Sequence, residues 1–268
     1  MLEHYFLLVI GFAAVFFAAV QDVRTREIAN WLTFSLIAFV LAYRGFYSFF
    51  SGDFSFFLYG LGGVLLFTAL GYLFYCLGVF AGGDAKLLFG LGGIFLYNSL
   101  SDYIFYGFGF FFLLFSLGVI YTLIYSAFFA GKNIRAFKKA FLYEFKKGKV
   151  WIFLAFLFVV LFVFIDSSFI RFSWIFLLLP LIYFYAKSIE SSCMIKLTSP
   201  EKLTEGDWLV EDVKVGKKVI LKTVHGLSYE DILFLRKNRK SVLIKSGVPF
   251  APVFLIALIV FYSWYPSF

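Results

Sequence analysis

Residues 2–30 read LEHYFLLVIGFAAVFFAAVQDVRTREIAN, an uninterrupted apolar run that ends in a short polar turn carrying one aspartate, Asp22. A run of this length crosses a hydrocarbon core of about 30 Å as a helix, and a helix satisfies its own backbone hydrogen bonds there. The flank before it is acidic (Glu3), and no A-x-A cleavage site directly precedes Asp22, so Leu2 to Val20 is expected to stay as a helix rather than leave as a signal peptide. Outward from it, similar runs follow at Trp31 to Phe49, Ser55 to Phe80, Asp84 to Tyr97, Ile104 to Phe129, Val150 to Ile165, Phe169 to Ala186 and Val248 to Trp264. The last pair but one is a single long run that Asp166-Ser167-Ser168 divides into a hairpin. With 62% hydrophobic residues, 42 Phe and only 15% charged residues, the chain lies far from the composition of an average soluble domain. The expected fold is an all-α polytopic membrane protein of about eight transmembrane helices, with a small cytoplasmic α+β insertion before the last helix.

An external N-terminus puts four segments inside: Gln21 to Asn30, Ala81 to Gly83, Gly131 to Lys149 and Lys187 to Gly247. These, with Lys86, hold every Lys and Arg except Arg44 and Arg171, as the positive-inside rule requires. The organisation predicted is a membrane domain over 1–186, a cytoplasmic α+β domain over 187–247 and a final helix over 248–268. Gly131 to Lys149 interleaves seven basic residues with Phe137, Phe141, Leu142, Tyr143 and Phe145, the composition of an interfacial segment that contacts anionic lipid headgroups. The net charge of +8 therefore points to the membrane surface and not to nucleic acid. In the polar domain, strands are expected around Cys193 to Leu197, Trp208 to Val213, Lys218 to Val224 and Val242 to Lys245. A helix over Ile232 to Lys237 starts from a capping-box-like pair, Ser228 and Asp231.

Cys76 and Cys193 have no CxxC spacing and read as small buried hydrophobes, while His4 and His225 lack partners at ligand spacing. No metal and no cofactor are expected. The chemistry that remains is carboxylate chemistry. Asp22 and Asp84 each end an apolar run on the same side of the predicted topology. Two carboxyls brought close cannot easily both ionise, so one takes a proton from water while the other, still protonated, donates to the carbonyl or leaving amine. Singly, each has a plainer reading: Asp22 as an interfacial partner of Arg24 or Arg26, and Asp84 as the N-cap of the helix that it precedes.

The surrounding residues favour chemistry. Asp22 with Ile28, Asn30 and Trp31 resembles the first-aspartate segment of the type IV prepilin peptidases, especially the archaeal branch that processes archaellin and pilin precursors. Gly83-Asp84-Ala85-Lys86-Leu87-Leu88 resembles the GxGD segment of that family, and Lys245 to Pro252 resembles the entry to the last helix in archaeal members. Ala81 stands where GxGD has its first glycine, and Ala29 stands where many members have proline. The resemblance implies a membrane aspartyl endopeptidase with Asp22 and Asp84 as the catalytic pair. Its substrates would be prepilin-like or archaellin precursors, cut ahead of their hydrophobic helix at the cytoplasmic face.

Three neighbours are supporting candidates. Gly83 permits close backbone approach; Lys86 orients Asp84 or snorkels to the interface; Asn30 hydrogen-bonds the site or caps the second helix. Tyr59-Gly60-Leu61-Gly62-Gly63-Val64 and Phe89-Gly90-Leu91-Gly92-Gly93-Ile94 echo one another and predict a close helix pair that positions Asp84. Two other classes stay open: a proton-coupled transporter that uses the carboxylates as relays, and a noncatalytic membrane scaffold whose polar domain recruits a partner.

Overall fold

The computed structural model describes residues 2–165, 170–216, 218–223, 226–245 and 247–264. The break at Asp166-Ser167-Ser168 and the side chains of His4, Arg171 and His225 lie outside the described residues. The chain forms two compact units, Met1–Leu123 with Val248–Phe268, and Ile124–Gly247.

The first unit contains α1 (Leu2–Thr25), α2 (Asn30–Ser51), α3 (Ser55–Cys76), α4 (Gly82–Leu91), the first part of α5 (Leu100–Lys132) and, returning from the far end of the chain, α9 (Ala251–Trp264). Among the described residues, α1, α2, α3 and α5 are long and apolar enough to cross a membrane. Large aromatic side chains such as Phe46, Phe49, Phe108 and Phe112 stand exposed on these helices, where a water-soluble protein would bury them. The protein is a membrane protein. Its core joins Leu7, Val15 and Ala18 of α1 to Leu36, Phe67, Leu87, Leu91, Phe110, Phe254 and Leu258.

The fourth expected span departs from prediction. Asp84 to Tyr97 was read as one helix, but α4 has 10 residues and stops at Leu91, a length of about 15 Å, half a bilayer core. Gly92 to Ser99 is irregular, and its carbonyls need donors that lipid cannot supply. Arg44 of α2 supplies them. Fully buried, it donates from Nε to the Gly93 carbonyl (2.8 Å), from Nη1 to Phe56 (2.7 Å) and from Nη2 to Phe95 (2.6 Å). Its guanidinium also sits 4.4 Å from the Phe56 ring centroid. The Tyr97 hydroxyl donates to the Gly92 carbonyl at 2.8 Å.

The glycine echo packs as expected. A Cβ on Gly63 would strike the Gly92 carbonyl, one on Gly92 would strike the Gly63 carbonyl, and one on Gly93 would lie 2.6 Å from Val40 and 2.8 Å from Val64. Only glycine lets α3 and the end of α4 meet backbone to backbone.

The second unit holds the end of α5, α6 (Ile134–Ile165), α7 (Ile170–Ile189) and the polar segment. The basic stretch expected as an interfacial segment forms the first half of α6, continuous with its apolar half over 32 residues, about 48 Å. Its aromatic stripe explains this continuity. Phe137, Phe141 and Phe145 stack at helical spacing and pack on α7, with Phe137 5.7 Å from Tyr185 and Phe145 6.2 Å from Phe184 between ring centroids.

In the polar segment, β1 (Ile195–Thr198), β5 (Val242–Lys245) and β2 (Trp208–Leu209) form an antiparallel sheet in the order β1-β5-β2, while β3 (Val213–Val215) and β4 (Lys218–Ile220) form a hairpin. The helix α8 (Tyr229–Lys237) begins at Ser228, whose Oγ accepts the Asp231 N–H at 3.2 Å, the expected cap. Leu209, Ile220, Ile232, Leu235, Val242 and Ile244 form its small core. Cys76 corrects the sequence reading: as the last residue of α3 it is exposed, whereas Cys193 is half-buried.

Candidate active site

Asp22 lies in the last full turn of α1, which Arg26 ends in the left-handed conformation at φ 64°, with its N–H on the Asp22 carbonyl at 2.9 Å. The turn that follows is held by Gln21, whose Oε1 accepts the Ala29 N–H at 3.2 Å, and by Thr25, whose hydroxyl donates to the Gln21 carbonyl at 2.9 Å. Ala29 is the N-cap of α2. The polar turn thus fixes how α1 hands over to α2.

Asp84 is the third residue of α4, and the N-cap is Ala81, which has no capping side chain. The cap reading for Asp84 therefore shifts by one turn position: its carboxyl takes the backbone N–H of Ala81 from inside the helix, as an N3 acid does in half of a capping box. Gly83 sits where an added Cβ would lie 3.1 Å from the Ile28 Cβ, so its missing side chain lets α4 begin directly against the polar turn after α1.

The two carboxyl groups lie within electrostatic range of each other. Both side chains are buried, at 7% and 8% exposure, and the Asp22 charge acts on the Asp84 carboxyl. Asp22 is held from a third direction: its Oδ2 accepts the Ala251 N–H at the start of α9 at 2.8 Å, and the Phe250 N–H also points to it. Arg26 lies within electrostatic range of Asp22, as the plainer reading expected. Among the described residues no group of three or more His, Cys, Asp and Glu side chains gathers. What the site offers is one pair of carboxyls.

Lys86 and Asn30 were considered separately in the sequence, and the structure joins them. Lys86 Nζ donates to Asn30 Oδ1 at 2.7 Å. Residues two apart on a helix do not share a face, so Lys86 turns to α2 and not to Asp84. Asn30 is the first residue of α2 rather than its cap. Sequence reasoning assigned no role to the backbone donors at Phe250 and Ala251 or to Gln21. Pro249 and Pro252 mark the helix start that carries the donors, but not the carboxylate that they meet.

The region that carries this geometry also matches a known family. Residues 9–131 match the model of the type IV leader peptidase family. Both aspartates, Gly83, Lys86 and Asn30 fall within these residues; α9 does not. A preflagellin peptidase of Methanocaldococcus jannaschii is similar, with 32% identity over 78 residues, which is 29% of this chain. The chain spans about a third of the length of that relative, 33%. No solved structure matches.

Proposed function

We propose that the protein is a membrane aspartyl endopeptidase that cuts short basic leader peptides from prepilin-like or archaellin-like precursors at the cytoplasmic membrane face. The observation that carries this reading is the placement of Asp22 and Asp84 in one buried location. They are two buried carboxyls from separate helices, within electrostatic reach of each other, inside the residues that match leader peptidases.

A water between them loses a proton to one carboxylate as its oxygen attacks the scissile carbonyl. The other carboxyl, still protonated, gives its proton to the carbonyl oxygen, and proton return to the amine completes the cleavage. Both aspartates lie near helix ends, which suits a bond just ahead of a substrate's hydrophobic helix. The leader stays in water while the helix stays in lipid. The Lys and Arg distribution supports the cytoplasmic side. Gly131 to Lys149 and the polar segment serve to retain the precursor at the lipid surface.

A transporter would place relay carboxyls along a central path, whereas these two share one location near helix ends. Arg44, a buried cation away from it, is committed to three carbonyls. The experiment is direct: purified protein in lipid is mixed with a prepilin-like and an archaellin-like precursor, and the products are weighed by mass spectrometry. A released leader and a trimmed precursor that sum to the substrate plus one water are expected. Precursors left intact under conditions that keep the protein folded would refute the reading.

A further inference from the structure

The start of α9 does more than pack. Its first turn has few donors to give, because Pro252 has no N–H and the Val253 N–H is taken by the Phe250 carbonyl at 2.9 Å. The Ala251 N–H is free of the helix and goes to Asp22 Oδ2 at 2.8 Å, in a fully buried setting. The same turn is tied to the other aspartate by packing. Phe250 and Phe254 lie 5.8 and 6.0 Å from Phe80, and Phe80 directly precedes the Ala81 cap of the helix that carries Asp84. Phe80 is in turn stacked on Phe115 of α5 at 5.7 Å. One turn of chain therefore grips Asp22 by a hydrogen bond and the Asp84 segment by an aromatic ring.

We propose that the Ala251 backbone N–H, with the Phe250 N–H beside it, is the positioning group of the aspartyl pair, holding the Asp22 carboxylate in one orientation toward the attacking water. The proposal rests on the peptidase reading above and deepens it. An N–H can only donate, so Oδ2 serves as its acceptor, and the bond fixes the rotation of the carboxylate. A carboxylate free to rotate would present either oxygen, and misplacement by about 1 Å costs on the order of 100-fold in rate. The positioning group lies outside residues 9–131, so this chain completes its site with a segment beyond the family match.

The test removes the N–H in two chemically different ways. Ala251 is the first residue of α9, a position that accepts proline because its N–H is not used by the helix. Ala251→Pro and a variant with lactic acid at 251, which exchanges the N–H for an ester oxygen, are compared with Ala251→Gly, which keeps it. Leader release is followed with the full chain in lipid. The expected result is a fall in kcat of about 100-fold for both N–H-deleting variants, KM within about twofold, and kcat within a few-fold of the parent for Ala251→Gly. If Ala251→Pro fails to fold, the lactic acid variant decides. Parent-like kcat without the N–H overturns the proposal, as does an equal loss in Ala251→Gly, which would trace the effect to the buried methyl. Asp22→Asn separates the two readings: an active Asp22→Asn refutes the aspartyl pair itself, whereas an inactive one beside active N–H-deleting variants refutes the positioning role alone.

Discussion

Lys86 and Asn30 form a tie between α4 and α2 that is nearly silent in the sequence, since a lysine at a membrane edge and an asparagine at a helix start each have commoner explanations. Their contact makes a specific prediction. Lys86→Met and Asn30→Ala should each lower stability by about 0.5–1.5 kcal/mol. The double variant should cost less than the sum by at least about 0.5 kcal/mol, because either change alone already breaks the bond. Thermal or denaturant unfolding in detergent measures this cycle; strict additivity would show that the two side chains act independently. At this scale the aspartates were legible because a carboxylate at the end of an apolar run is conspicuous. Ala251 was not, because its contribution is a backbone N–H, which every residue but proline has.

α4 shows what apolar length alone conceals. Ile94, Phe95, Leu96 and Tyr97 are as apolar as the helix before them, so a count of hydrophobic residues runs past the point where the helix stops. Gly92-Gly93 was the available break signal, and the echo with Gly62-Gly63 correctly gave the close packing but not the end of the helix. The irregular segment persists because Arg44 satisfies two of its carbonyls and one from α3. Arg44→Met should therefore cost roughly 3 kcal/mol or more, since it leaves three carbonyls without that donor. Arg44→Lys should restore little, because an ammonium lacks the planar fork that reaches all three. Unfolding midpoints in a single detergent check both; an Arg44→Met protein as stable as the parent would show that Arg44 is not the support of this segment. The last polar strand and α8 were legible because they follow the ordinary signals of soluble chains, including the Ser228 cap, whereas the strand expected over Trp208 to Val213 divides between β2 and β3.

Across the whole molecule, the first unit gathers two chain regions more than 100 residues apart in sequence: α1 to α5, and α9. The membrane class was legible from composition, and the two aspartyl segments from their positions. The contact of Asp22 with residue 251 was not, because long-range pairing leaves no local pattern. The central claim is that Asp22 and Asp84 act as one catalytic unit. Residues that act as a unit are non-additive in rate: losing one removes nearly everything that losing both removes. Cleavage rates of a matched precursor should be measured for Asp22→Asn, Asp84→Asn and the double variant, each confirmed as folded and inserted. The account predicts that either single change lowers kcat by about 1000-fold or more, and that the double variant is no slower than the singles. A single variant that cuts at the parent rate, or two partial losses that multiply in the double variant, would contradict it.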